Sequence, residues 1–185
     1  MKNFKLLFII IACANIFAAC KKDKTEPTEI SKLPAATQTG ANTFGCLVNG
    51  KAWIAENGCR YFCDPPFKLI YQNIQGGRIS LSATFQPSNF ELESIGIYFD
   101  SSNYKSNFSF VDKIHSGASY SNNNIVSPDC RFITSTDSLT TIVCMVNISK
   151  YDLPNGIFSG TFEFTLTKPG CETTSVTEGR FDKKL

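Results

Sequence analysis

Polar and apolar residues alternate one by one along much of this chain. Ile79, Leu81, Ala83 and Phe85 alternate with Ser80, Ser82 and Thr84. Ile95, Ile97 and Phe99 alternate with Gly96 and Tyr98. Ile142, Cys144, Val146 and Ile148 share one face of a further run. Phe158, Phe162, Phe164 and Leu166 share a face of the next, opposed by Ser159, Thr161, Glu163 and Thr165. A period of two puts successive side chains on opposite sides of an extended backbone, so each run predicts a strand with one buried face. Residues 43–48 and 52–55 flank Asn49-Gly50, a pair suited to the left-handed backbone of a tight primed hairpin turn. Gly76-Gly77, Pro154-Asn155-Gly156 and Pro169-Gly170 punctuate the later runs. No stretch shows a convincing helical period. Short strands at this spacing predict an all-β fold, a single antiparallel sandwich or small barrel. The Ser- and Asn-rich residues 100–124 predict long surface loops.

The N-terminus breaks the pattern. Lys2 and Lys5 precede an apolar run of twelve residues, 6–17, interrupted only by Asn15. Crossing roughly 30 Å of hydrocarbon as a helix takes about 20 residues, so the run predicts a signal segment and not a membrane span. Phe17-Ala18-Ala19-Cys20 resembles the lipobox of bacterial lipoproteins, with Phe17 in place of the usual aliphatic residue. The resemblance implies removal of residues 1–19 and acylation of Cys20. Several acyl chains, at about 0.8 kcal/mol per buried methylene, give a long-lived anchor. Residues 20–41 are polar, aperiodic and hold Pro27 and Pro34, which predicts a flexible tether carrying an all-β domain of residues 42–185.

Charge changes little in this picture. The chain has 18 Lys and Arg against 16 Asp and Glu, and the excess of two is Lys2 and Lys5 of the leader. The remaining residues are formally neutral, so no basic field points to nucleic acid. A mature chain of this size can bury about 70% of its unfolded surface and suits one domain.

Eight cysteines become six once Cys13 leaves with the leader and Cys20 is acylated. An even number in an exported chain favours disulfides among Cys46, Cys59, Cys63, Cys130, Cys144 and Cys171. Zinc is the weaker reading, because Cys59 and Cys63 form the single close pair and His115 is the only histidine. If residues 130–134 and 141–148 form a hairpin about Asp137, Cys130 stands opposite Cys144 and can bridge it. Cys59–Cys63 and Cys46–Cys171 are then favoured for the remainder.

No nucleophile elbow, zinc-protease motif, phosphate loop or cofactor motif is present, so no catalytic residue, cofactor or metal is expected. Asp112, His115 and Ser116 are sequence neighbours only, and a triad is made in space. Glu91, Glu93, Asp100 and Glu163 have no spacing diagnostic of a glycosidase pair. The strongest binding candidate is the segment 59–67. Cys59 and Cys63 with Pro65 and Pro66 would stiffen a loop presenting Tyr61 and Phe62, with Trp53 and Tyr71 nearby. The competing reading is a small satellite core beneath a stapled loop. Asp137-Ser138-Leu139 resembles a bacterial O-glycosylation acceptor.

The opening, residues 39–53 (Thr-Gly-Ala-Asn-Thr-Phe-Gly-Cys-Leu-Val-Asn-Gly-Lys-Ala-Trp), and the ending, Gly160-Thr-Phe-Glu-Phe164 with residues 176–182, resemble an uncharacterised all-β lipoprotein domain family of Bacteroidota. The resemblance implies an outer-membrane lipoprotein facing either the periplasm or the cell surface. It carries no functional residues across. Together these readings predict a lipid-anchored, non-enzymatic binding or accessory module of the cell envelope, with a glycan, peptide or envelope protein as its partner. The alternatives are a structural envelope protein and an unrecognised hydrolase.

Overall fold

The structure, a computed structural model, describes residues 27–57, 64–72, 77–88, 91–100, 108–110, 116–123, 130, 132–133, 139–152 and 154–185. The alternating runs form strands in two sheets. The first contains β1 (Thr43–Val48), β2 (Lys51–Ile54), β7 (Phe108–Phe110), β10 (Thr141–Asp152), β11 (Ile157–Thr167) and β12 (Thr174–Lys184), in the order β2-β1-β12-β11-β10-β7. The second contains β3 (Glu56–Asn57), β4 (Phe67–Gln72), β5 (Arg78–Ser88), β6 (Glu91–Asp100), β8 (Gly117–Asn122) and β9 (Phe132–Ile133). Its order is β3-β5-β6-β8-β9, with β4 also paired to β5. All pairings are antiparallel except the two-residue contact of β3 with β5.

The inward faces of both sheets meet in one core, the arrangement of a β-sandwich. The first sheet contributes Phe44, Phe162, Phe164 and Phe181, and the second contributes Phe67, Leu81, Ile97 and Phe99. Phe44 is the hub, with ring centroids 5.9 Å from Trp53, 5.2 Å from Phe67 and 4.8 Å from Phe162. The predicted turn at Asn49-Gly50 closes the β1–β2 hairpin, and both residues have positive φ, 48° and 80°.

Three expectations are corrected. Part of the loop expected over residues 100–124 is β8, an interior strand whose Ala118 and Tyr120 enter the core. Cys130 and Cys144 are not partners. The expected hairpin does not form, because Phe132 pairs with Tyr120 in the second sheet while β10 pairs with β11 and β7 in the first. Cys130 is bridged instead to Cys171, with Cα atoms 5.5 Å apart, which also removes the Cys46–Cys171 pairing. The bridge joins the turn after β11 to the approach to β9, and so links the two sheets. Cys46 and Cys144 are free thiols buried in the core. Cys59 and Cys63 lie outside the described residues.

The third correction concerns the expected tether. Residues 28–41 lie folded against the outer face of the first sheet. Thr28 caps the short helix α1 (Glu29–Lys32) through its side-chain oxygen. Glu29 Oε2 accepts the edge N–H of Ala52 on β2 at 2.7 Å. Asp182, fully buried on β12, accepts from the Thr37 hydroxyl at 2.6 Å, the Thr39 N–H at 3.0 Å, the Gly40 N–H at 2.8 Å and the Ala41 N–H at 3.1 Å. The Ser159 hydroxyl of β11 donates to it from the sheet side at 2.7 Å. This strap is therefore part of the body. Cys20 and the expected leader lie outside the described residues.

Candidate functional site

Glu93 organises one end of the sandwich. It shares parity with Ile95, Ile97 and Phe99 on β6, so its side chain is directed between the sheets. A carboxylate partly withdrawn from water needs donors to offset lost hydration. Three converge on it. Trp53 Nε1–H donates to Oε2 at 2.9 Å, the Tyr120 hydroxyl donates to Oε2 at 3.1 Å, and the Asn122 amide donates to Oε1 at 2.8 Å. Burial, aided by the Glu93 charge and opposed by an Asn122 hydrogen bond, pushes the Tyr120 phenol up to about 12. At neutral pH it stays a protonated donor. Burial and, secondarily, the same charge also raise the Cys46 thiol well above its usual range, so that it stays un-ionised.

Tyr120 and Asn122 also line a cavity of about 390 Å³ at this end. Buried Phe132 and Thr174 line its interior, exposed Asn49 and Glu172 its rim, and the Cys130–Cys171 bridge part of its wall. Asn49 Oδ1 accepts the Ser175 N–H at 2.8 Å, which fixes the orientation of its amide. The cavity therefore combines aromatic surface with donors and acceptors already held in place. That combination suits a small neutral polar ligand, since little side-chain ordering remains to be done on binding.

A wider groove of about 510 Å³ crosses the outer face of the first sheet beside the strap, lined by Ala36, Met145, Glu163 and Arg180 among others. Arg180, the one cation among its described lining residues, is paired with Glu178 at 3.2 Å. Its walls mix exposed side chains such as Met145 and Glu163 with buried Phe162.

Of the residues singled out in the sequence, Trp53 belongs to the end cluster but is buried, with its ring 6.0 Å from Phe85. Tyr71 is exposed on β4 opposite Ile79, about 20 Å along β5 from Phe85 at roughly 3.3 Å per residue. Trp53 and Tyr71 therefore stand well apart, and residues 59–63, the segment beside which both are expected, lie outside the described residues. Tyr61 and Phe62 lie outside the described residues, as do Asp112, His115, Asp137 and Ser138. Ser116 is buried, and Glu91 and Glu163 are exposed. Asp100 lies 4.0 Å from Arg78. Among the described residues no three of His, Cys, Asp and Glu are grouped to hold a metal, and no helix is long and apolar enough to cross a membrane.

Sequence reasoning missed Tyr120 and Asn122, which lay in the expected loop. It weighed Glu93 only as a candidate for a glycosidase carboxylate pair. The signal available was its odd-numbered register with Ile95 and Ile97. Comparison with protein-family models, with curated proteins and with solved structures finds no match to the chain.

Proposed function

We propose that the protein is a lipid-anchored, non-enzymatic binding module of the bacterial cell envelope, and that its ligand is a neutral saccharide taken into the end cavity. One observation carries this reading: the cavity presents Tyr120 and Asn122 already fixed by Glu93, over an interior lined by buried Phe132. Saccharides offer hydroxyls to amides and carboxylates and C–H faces to aromatic rings, the two chemistries this cavity holds. The leader and Cys20 support the envelope location, and the resemblance of residues 39–53 to Bacteroidota lipoprotein domains agrees with it.

Trp53 is the only tryptophan, and its indole shares the Glu93 carboxylate with Asn122. Titration of the protein with a panel of neutral mono- and oligosaccharides should therefore change its indole emission. Asn122→Ala should remove the response while leaving the thermal transition within a few degrees. Silence across the panel, or a response unchanged in Asn122→Ala, would overturn the saccharide reading.

A further inference from the structure

We infer that the strap holds the sandwich close to the bilayer with one edge, α1 and β2, turned toward the lipid headgroups. This rests on the lipid-anchor reading of Cys20 and adds an orientation to it. The argument is one of chain length. Were residues 20–41 all free, the 22 Cα steps from Cys20 to Asn42 could span roughly 75 Å at full extension. The strap takes up most of that length. Its first fixed points are the Thr28 cap and the Glu29 hydrogen bond to Ala52. Only eight Cα steps separate Cys20 from Thr28, a reach of at most about 29 Å. The fastening is strong, because Asp182 draws in the side chain or backbone of Thr37, Thr39, Gly40 and Ala41 together.

The surface at that edge suits such a contact. Ile30 on α1 stands 47% exposed although its neighbour Leu33 is buried. Lys51, at the start of β2, is exposed next to Ala52, whose N–H is held by Glu29 of α1. An isolated apolar side chain near a lysine matches the chemistry of a lipid interface. The end cavity lies on the same side, because Asn49 at its rim sits in the turn that leads into β2. A ligand bound there is therefore met at the membrane surface and not at a distance from it.

Tyr71, exposed on β4 and remote from Trp53 and β2, provides the contrasting position. The test uses the natively lipidated protein in phospholipid vesicles that carry an energy acceptor on their headgroups. A fluorescent amino acid replaces either Lys51 or Tyr71. Transfer should be stronger from position 51, and a long Gly/Ser insertion after Lys24 should abolish the difference while the strap amides keep their hydrogen-exchange protection. Equal transfer from both positions, or a difference that survives the insertion, overturns the orientation while leaving the anchor intact. Failure of the protein to float with the vesicles overturns the anchor itself, and the orientation with it.

Discussion

Asp182 carries a charge that water does not reach. Burial alone would raise its carboxyl, but the hydroxyls of Thr37 and Ser159 and the N–H groups of Ala41 and Thr39 outweigh burial and hold it well below the usual carboxylate range. The ionised form is therefore favoured by folding. Its contribution to stability is complete above the unfolded carboxyl pKa near 4 and is lost as pH falls from about 5 toward the lower folded value. Asp182→Asn keeps the volume but removes the charge from six hydrogen bonds, and its amide turns two donor hydrogens toward groups that themselves donate. Hydrogen bonds to charged groups contribute about 1.5–3 kcal/mol each, so a loss of roughly 2–4 kcal/mol at pH 7 is expected, allowing for relaxation of the strap. Urea unfolding at pH 7 and pH 3.5 should show the variant less stable at the higher pH and the two proteins closer at the lower. Parallel losses for both would show that another carboxylate governs the acid transition.

β12 is the element on which the first sheet turns, because it pairs with both β1 and β11. Its register shifts against each neighbour around Glu178 and Gly179, which places an extra residue in the middle of the strand. Glu178 has φ 54°, and Gly179 lies directly opposite Phe162. A Cβ on Gly179 would meet the Phe162 carbonyl and come within 2.6 Å of its ring. Backbone and a core ring cannot both give way, so Gly179→Ala should cost about 2–4 kcal/mol, measured as a fall in the urea midpoint with little change in slope. An unchanged midpoint would show that the bulge relaxes without strain. No local sequence cue marks this bulge, since Glu178-Gly179 reads equally well as a turn. The strands themselves were legible for a simple reason. Ile79 to Phe85, Ile95 to Phe99 and Ile142 to Ile148 must each bury alternate side chains, and alternation is a local property. β8 escaped because Gly117, Ser119 and Ser121 dilute its two core residues, Ala118 and Tyr120. The strap escaped for a different reason. Thr37 and Thr39 look like tether because their partner, Asp182, is more than 140 residues away in sequence, and on parity alone Asp182 belongs to a solvated face.

At the scale of the whole molecule, the two sheets share a core of phenylalanines but only one described covalent link, Cys130–Cys171. The same limit on local reasoning applies here. Cys130 and Cys144 are spaced for a hairpin, yet the chain between them passes from one sheet to the other, so spacing in sequence did not translate into spacing across a ladder. The bridge closes a loop with a sequence separation of 41, and the chain-entropy model assigns such a closure about 4 kcal/mol, with measured bridges often giving 2–4. Replacing both residues, as Cys130→Ser with Cys171→Ser, should therefore lower the thermal midpoint by several degrees without abolishing the fold. The bridge also walls the end cavity beside Tyr120 and Asn122, so under the proposed saccharide reading its loss should weaken binding more than a stability change far from that end does. Peptide mapping under non-reducing conditions should recover Cys130 joined to Cys171. Cys46 and Cys144, whose thiols burial holds in the un-ionised form, should react with an alkylating reagent only after denaturant is added. Rapid alkylation of either in the native protein would mean that the two sheets open around them. In that case the frame that fixes Glu93, Tyr120 and Asn122 would be too loose to preorganise a site.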